Sequence, residues 1–323
     1  MVMGCAVRGG PSPTPAATTQ ATKSGTIRLF DISNVDVRDV PMLMAFDALR
    51  ADGYTVETTY LASSALIAEA LARGDADIGL FNNQTAWQAV SKGAAIRTVA
   101  QFTAQTTLFV SAKPAQTCAD LNGKRVGLAA QTGLNPTLLN LYLKQHCPGT
   151  SATFMTISES AGRAAALLAG ELDATLLPGE QFGTLEQQAP GRFTVLFTYA
   201  EEFPDIQIDG IQVRKDWAER NPQVVKDYLR AVLTAYRAAV ADPQLLYKEA
   251  ARRLELDAAD VKLAADAHLE NQTWLPNGGM SSAGVQATLD LMTQTSLLPM
   301  GLRIEDVADL SYLDAVLSQM GRK

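Results

Sequence analysis

With 323 residues, the chain is longer than an average single domain and has the length for two lobes of about 100 to 150 residues each. Hydrophobic residues make up 47% and charged residues 19%, which excludes a mainly disordered chain. The net charge of -7 argues against a nucleic-acid partner, because such proteins need a basic surface to displace phosphate counterions.

The N-terminus carries the tetrad Val2-Met3-Gly4-Cys5, followed by a linker rich in Pro, Thr, Ala and Gly up to about residue 25. This arrangement resembles the end of a bacterial lipoprotein signal, whose Cys becomes the acylated first residue. The basic and apolar regions that should precede it are missing, so we expect an upstream start codon or a trimmed sequence. Residues 1–25 are therefore predicted to be a lipoprotein-type N-terminus with lipidation at Cys5, which would anchor the protein outside the cytoplasm. The alternative is a cytoplasmic protein with an incidental Cys.

The next part of the chain alternates β-rich runs with helical patterns, which predicts a parallel sheet with crossover helices. The expected elements are a strand at 26–30, a helix at 42–50, a strand at 55–60, a helix at 65–73 and a strand at 77–81. The order then repeats with a strand at 124–129, a helix at 136–145, a strand at 152–157, a helix at 158–169 and a strand at 172–177. The phrase from Ala70 to Gly79 also has a counterpart from Leu167 to Ala174. This internal echo predicts two similar α/β lobes.

After residue 215 the strand signals stop and only helical patterns follow. The first of these helices starts at Asn221-Pro222, where proline fits the first helical turn. Further helices are predicted at 244–254, 258–269, 283–293 and 312–320. We expect this helical portion to cover the sheet and back of the first lobe.

The chain has three cysteines, an odd number. If Cys5 carries lipid, Cys118 and Cys147 remain. They flank one predicted strand and helix on the same side, so they could form a disulfide in an oxidising compartment. The alternative of two unpaired small core residues stays open at this point.

Four segments carry a family resemblance that covers nearly the whole chain after residue 26. They are Ala70 to Asp77, Ala119 to Gly127, Leu167 to Ala174, and Arg220-Asn221-Pro222. In this order they resemble the type II periplasmic solute-binding proteins of ABC transporters, the family of nitrate, taurine, sulfonate and thiamine-pyrimidine binders. The sequence departs from the family pattern at Asn82-Asn83-Gln84, where Gly-Pro or Ser/Thr is frequent.

The resemblance implies a two-lobed α/β fold of the Venus-flytrap type with a C-terminal helical portion. Lobe I would comprise 26–108 and 214–323, and lobe II would comprise 109–213. The implied function is the substrate-binding component of an ABC importer, with permease subunits as partners, no nucleic acid, no cofactor and a monomeric state. Ligand would bind between the lobes, which would close around it.

Ligand-binding residues are predicted by a separate rule, that open α/β sheets leave a crevice at the carboxyl ends of their strands. The residues selected in this way are Asp31, Ser33, Asn34, Ser63, Ser64, Asn82, Asn83, Gln84, Gln131, Thr132, Gly133, Asn135, Glu180 and Asp209. Most carry neutral hydrogen-bonding side chains, and none is an Arg, which weakens the case for a simple oxyanion. Amides beside aromatic residues such as Trp87 and Trp274 would suit a planar heterocycle, for example a pyrimidine, a flavin or another vitamin precursor. A sulfonate or another small anion remains the alternative.

Enzymatic readings rank lower on the sequence. The two histidines, His146 and His268, do not follow predicted strands, and no His, Cys or Asp spacing indicates a metal site. The sequence also lacks a Gly-x-Gly-x-x-Gly turn, a phosphate-binding loop and a Gly-x-Ser-x-Gly elbow. The family fold is shared by a pyrimidine-synthesising enzyme and by menaquinone-pathway enzymes, which keeps an enzyme as the second alternative.

Overall fold

The structure is a computed structural model that describes Met1 and residues 24–32 and 35–323. Its strands in chain order are β1 (Gly25–Ile32), β2 (Tyr54–Leu61), β3 (Ile78–Asn82), β4 (Ile96–Gln101), β5 (Thr107–Ala112), β6 (Arg125–Leu128), β7 (Thr153–Thr156), β8 (Ala174–Pro178), β9 (Phe193–Thr198) and β10 (Asp209–Arg214). Its α-helices are α1 (Val40–Ala51), α2 (Ser64–Arg73), α3 (Asn83–Ser91), α4 (Leu134–His146), α5 (Ser160–Ala169), α6 (Gly179–Gln188), α7 (Tyr199–Glu202), α8 (Lys215–Arg220), α9 (Pro222–Ala241), α10 (Pro243–Leu254), α11 (Ala258–Glu270), α12 (Ser282–Gln294), α13 (Ile304–Val307) and α14 (Ser311–Met320). The predicted cysteine of the lipid anchor, Cys5, lies outside the described residues.

The described strands form two five-stranded sheets with the same topology. Their orders are β2-β1-β3-β10-β4 and β7-β6-β8-β5-β9. In each sheet the first three strands run parallel, and the fourth, β10 or β5, is antiparallel to both of its neighbours. The prediction of a two-lobed α/β fold with a helical C-terminal portion is confirmed.

The chain crosses between the sheets in two segments, 102–106 and 199–208. Strand β10 pairs with β3 and β4, so residues 209–213 belong to the first sheet and not to lobe II, where the sequence had placed them. Conversely, β5 lies wholly in the second sheet from Thr107 onward. The alternation of apolar residues identifies a strand but not the sheet that it joins, which explains the shift.

Each lobe has the same contact between neighbouring strands, an aspartate that accepts hydrogen bonds from the backbone and side chain of one arginine. We call this contact the acidic clamp. In the first sheet, an Asp77 carboxylate oxygen accepts hydrogen bonds from the backbone N–H of Arg28 at 3.1 Å and from its Nε at 3.0 Å. In the second sheet, Asp173 accepts from the N–H and Nε of Arg125 at 2.9 and 3.2 Å. Both aspartates belong to the repeated sequence phrase, so the echo corresponds to a repeated contact.

The C-terminal helices pack mainly on the first lobe, as expected. Helix α9 packs lengthwise against α1, and its inner face includes Tyr228 and Tyr236, both fully buried. Helix α11 instead contacts α6 of the second lobe. A Cβ atom at Gly179, the first residue of α6, would lie 2.4 Å from Nδ2 of Asn271, so the two elements approach too closely for a side chain there. The helical portion therefore bridges the lobes as well as covering one of them.

Cys118 and Cys147 form a disulfide, with their Cα atoms 6.0 Å apart. It ties the short helical turn before β6 to the end of α4, within the second lobe. Of the two alternatives that the sequence left open, the structure has the bonded one. Among the residues described, no helix has both the length and the apolar character to cross a bilayer.

Candidate ligand-binding site

A cavity of about 410 Å³ lies between the two lobes. Its walls include the carboxyl ends of β3, β6 and β8, the start of α4, and the first crossing segment from Thr103 to Thr106. Helix α11 closes one side through His268. This volume falls within the range of about 300 to 1,000 Å³ that is typical of small-molecule sites.

The antiparallel strands bring their first residues to the same edge at which the parallel strands end. Asp209, at the start of β10, pairs in register with Asn82 at the end of β3. Thr107, at the start of β5, pairs with Pro178 at the end of β8. All four residues line the cavity. The crevice rule therefore extends here to the amino ends of the antiparallel strands.

The cavity brings together half of the predicted ligand-binding residues. Those that line it are Asn82, Gln84, Thr132, Gly133, Asn135, Glu180 and Asp209. Those that do not line it are Asp31, Ser63, Ser64, Asn83 and Gln131. Ser33 and Asn34 lie outside the described residues. The lining residues stay candidates for ligand contact, whereas the five other described residues lie elsewhere in the structure.

Two of the misplaced predictions are residues that stabilise helix starts. Ser63 is the N-cap of α2, where its hydroxyl oxygen accepts from the N–H of Leu66 at 3.4 Å. The hydroxyl oxygen of Ser64 accepts from Nδ2 of Asn82 at 2.7 Å, which orients a residue that does line the cavity. Both serines thus act in local structure, and they follow β2, an edge strand that β1 separates from β3. Gln131 is exposed, next to the cavity-lining Thr132.

Asn83 is fully buried at the centre of a polar network in the first lobe. Its Nδ2 donates to the carbonyl oxygen of Gln207 at 3.0 Å, and its Oδ1 accepts from Nε2 of Gln212 at 2.8 Å. Thr98 joins the network by donating to Oε1 of Gln212 at 2.7 Å. The amide of Asn83 is satisfied by the protein itself, so the prediction that it contacts ligand is wrong in this structure.

Asp31 is buried beneath the cavity edge rather than exposed in it. One carboxylate oxygen accepts from the N–H of Ile32 at 2.7 Å. Burial, with the nearby charge of Asp39, raises the pKa of Asp31 from 3.8 to about 7, against the opposing effects of the Ile32 N–H and Arg38. The sequence rule failed here because Asp31 still lies within β1, one residue before the strand ends.

Two arginines line the cavity that the strand-end rule did not select, Arg38 and Arg163. Arg163 donates to the backbone carbonyl oxygens of Ile157, Ser158 and Leu176 at 2.7 to 3.0 Å. Its guanidinium therefore supports the loop before α5. The residues selected from strand ends include no arginine, but helical residues also reach the cavity, and their position relative to a strand does not reveal them.

Arg38 is the more accessible of these two cations. Its Nε donates to a carboxylate oxygen of Asp39 at 3.2 Å, and its side chain remains 32% exposed. Burial lowers the pKa of Arg38, but the charges of Asp39, Asp36 and Asp31 outweigh it and raise the pKa above its ordinary value. No hydrogen bond joins its two terminal nitrogens to any residue that the structure describes. They are free to donate to a ligand.

Three further titratable groups line the cavity. Burial raises the pKa of the Asp209 carboxyl, with Arg38 opposing. Burial likewise raises the pKa of the Glu180 carboxyl, which its own backbone N–H and Arg38 lower and Asp36 raises. Burial lowers the pKa of His268 to about 4, so its imidazole is neutral at physiological pH. Its Nδ1 lies 3.1 Å from Oγ1 of Thr273.

The NMT1/THI5-like family model matches residues 50–245, which include most of both sheets. The chain belongs to the NMT1/THI5-like family. No sequence among curated proteins matches it. In this family member, the matched region contains Asn82, Gln84, the first crossing segment and all the lining residues of the second lobe.

Solved structures share the fold at low sequence identity. The ligand-binding component of an ABC-type import system from Staphylococcus aureus, with zinc bound, is 15% identical, with a TM-score of 0.71 over 90% of this chain and 98% of that one. The aliphatic sulphonate-binding protein SsuA from Escherichia coli is 18% identical, with a TM-score of 0.69 over 88% and 92%. The nitrate-binding protein NrtA from Synechocystis PCC 6803 is 13% identical, with a TM-score of 0.70 over 94% and 90%. These likenesses establish the two-lobed binding-protein fold.

The aromatic residues of this NMT1/THI5-like protein do not provide a stacking surface in the cavity. Trp87 and Trp274 are buried, and their indole N–H groups donate to Oγ1 of Thr98 at 3.0 Å and to the carbonyl oxygen of Arg38 at 2.9 Å. Among the described residues that line the cavity there is no Phe, Tyr or Trp. The structure therefore removes the stacking argument for a planar heterocycle.

Gln84 makes a direct hydrogen bond between the lobes. Its Oε1 accepts from the backbone N–H of Leu134 at 2.7 Å, so an amide of the first lobe caps the start of α4 in the second. The unpaired N–H groups at the N-terminus of a helix attract anionic or strongly polar ligand atoms. In this structure the protein's own amide oxygen occupies that position.

The Gln84→Ala variant is expected to open the ligand-free protein. Loss of one hydrogen bond of about 1 kcal/mol would shift the ratio of closed to open molecules about fivefold. Small-angle scattering without ligand should then give a larger radius of gyration than for the parent chain. Gln88→Ala is the matched control, because the Gln88 side chain on the same helix donates to Leu297 within the first lobe. An equal increase in the radius of gyration for both variants, or no increase for either, would argue against a role of the Gln84 hydrogen bond in holding the lobes together.

Proposed function

We propose that this protein is the extracytoplasmic substrate-binding component of an ABC importer. The observation that carries the proposal is the interlobe cavity, which takes polar lining groups from both sheets and from the segment that joins them. Solved proteins of the same fold are described as import or periplasmic binding components. Membership in the NMT1/THI5-like family agrees with this assignment.

In this proposal the cavity captures a small polar organic solute, and the closed form then docks on permease subunits. Closure is a population shift whose size equals the ligand's preference for the closed state. Lipid attachment at Cys5 would keep the protein on the extracytoplasmic side of the membrane. The disulfide suits an oxidising compartment outside the cytoplasm. Within residues 24–32 and 35–323, no three His, Cys, Asp or Glu side chains are grouped to hold a metal ion.

The first experiment is mass spectrometry of small molecules released from the purified full chain, followed by a thermal-shift screen of amines, sulfonates, pyrimidines and flavins. One class should raise the melting temperature and should reduce the radius of gyration in small-angle scattering. The solute should also be recovered chemically unchanged. Conversion of the solute during incubation would instead indicate an enzyme of the same fold, and an unchanged scattering profile with a bound solute would contradict the closing mechanism.

A further inference from the structure

The polar groups in the cavity that lack a protein partner define the complement of the ligand. The Asp209 carboxylate has no hydrogen bond or ion pair to any described residue, and the one hydrogen bond that the Glu180 carboxylate accepts from a described residue comes from its own backbone N–H. Both line the cavity and both are only partly exposed. Carboxylates in such a position are satisfied by a hydrogen-bond donor, and best by a charged one.

One buried donor in the same cavity also lacks an acceptor. Oε1 of Gln105 accepts from the N–H of Thr107 at 3.2 Å, which fixes the orientation of the amide. Its Nε2 is then buried with no hydrogen-bond partner. Gln105 lies in the crossing segment and lines the cavity, so a ligand oxygen can satisfy this donor. The free terminal nitrogens of Arg38 offer a second pair of donors to the same kind of atom.

The charged side chains on and near the cavity wall limit which ligand groups can bind. Arg163 is committed to three backbone carbonyl oxygens, and Arg38 is ion-paired with Asp39. The positive charge of Arg38 is further offset by the nearby Asp31 and Asp36. Asp209 and Glu180 add negative charge on the cavity wall itself. Two arginines and two carboxylates thus line the cavity, so a ligand with both an amine and an acceptor oxygen matches the groups on its wall, whereas a free oxyanion would leave Asp209 and Glu180 without a donor.

We propose that the ligand is a small organic amine that also presents a hydrogen-bond acceptor, and that Asp209 and Glu180 bind the amine while Gln105 and Arg38 bind the acceptor. This inference rests on the proposed binding function and specifies its substrate class. Sulfonates and nitrate without an amine are then poor ligands. The uncharged remainder of the wall, including Asn82 and Thr85, contributes shape and secondary hydrogen bonds.

The test uses four probes. β-Alaninamide has both an amine and an amide, propionamide lacks the amine, propylamine lacks the amide, and ethanesulfonate is an anion that has neither. Calorimetric titration of the full chain at millimolar probe concentrations should give about tenfold tighter binding for β-alaninamide than for propionamide, the value of one charge-assisted hydrogen bond. Propylamine should bind more weakly than β-alaninamide because it leaves Gln105 unsatisfied. Ethanesulfonate should bind least.

The variants Asp209→Asn and Glu180→Gln keep the side-chain volume and remove the charge. Each should reduce the preference for β-alaninamide over propionamide about threefold, and the double variant should abolish it. Asp205→Asn, which removes an exposed carboxylate four residues away in the chain, should leave the preference unchanged. Thermal unfolding without probe checks that each variant is folded.

Equal affinity for β-alaninamide and propionamide, tighter binding of ethanesulfonate, or no binding of β-alaninamide would each overturn the proposed ligand class. These outcomes leave the binding function intact if the released-molecule analysis and the broad screen still find an unmodified solute of another class. Failure of that screen for every class of solute would instead count against the binding function itself.

Discussion

The Asp77→Ala variant is expected to unfold with about 2 to 3 kcal/mol less free energy than the parent chain, because it leaves the Arg28 guanidinium without its counterion and the Arg28 backbone N–H without its acceptor. The Asp77 side chain is only 2% exposed. It bonds the Arg28 guanidinium at 2.7 Å and the Arg28 backbone N–H at 3.1 Å, and Arg214 lies 3.6 Å away. One substitution thus removes the counterion of Arg28 and the acceptor of its backbone N–H group, whereas Arg214 keeps its ion pair with Asp216 at 2.9 Å.

The second lobe supplies the matched control. Asp173 makes the same contacts to the backbone N–H and Nε of Arg125, but its side chain is 30% exposed and the Arg125 side chain 46%. Water can replace most of the hydrogen bonds that Asp173→Ala removes, so we expect the free energy of unfolding to fall by about 1 kcal/mol or less. Urea unfolding of both variants measures the two values. Similar losses would show that burial does not set the strength of this repeated clamp.

The Asp31→Asn variant is expected to become more stable relative to the parent chain as the pH rises. The pKa of Asp31 is raised from 3.8 to about 7 in the folded state, so the folded state holds its proton more tightly than the unfolded state does. The stability that this proton contributes is complete below pH 3.8 and is lost as the pH rises to about 7. The difference corresponds to at most about 4 kcal/mol.

This expectation is checked by urea unfolding of both proteins at several pH values between 3.8 and 7. The gap in unfolding free energy between Asp31→Asn and the parent should widen in that interval and remain constant above it. Asp205→Asn controls for the loss of a carboxyl at the surface. A gap that does not change with pH would mean that the Asp31 carboxyl stays ionised in the folded protein.

Much of the fold could be predicted because its elements have strong local signals. The helix that begins at Pro222 is marked by proline in its first turn and by a long apolar face, and both are seen in α9. The strands β4 and β9 and the helix α3 were not predicted. Their sequences mix buried and half-buried positions, as in the pattern of Phe193–Thr198, so no clear period of two or of 3.6 emerges.

The candidate site could be predicted only where the chain follows a strand directly into the cavity. Asn82 and Glu180 were found because β3 and β8 end there. Arg38 and His268 were not found because they belong to helical segments that tertiary packing brings to the cavity. Asn83 was selected wrongly because it is the first residue of α3, and the sequence does not show which of Asn82 and Asn83 faces the cavity.

The first crossing segment has a mechanical consequence. Its first residues are tied to the first lobe and the helical portion, since the N–H of Phe102 donates to the Asp209 carbonyl oxygen at 3.2 Å and that of Ala104 to the Thr273 carbonyl oxygen at 2.8 Å. Gln105 follows directly and lines the cavity. A solute held there would contact the segment that joins the two lobes, and not only the walls of the lobes far from it. Substitutions that retune which solute is recognised would therefore also alter how far, and how readily, the lobes rotate.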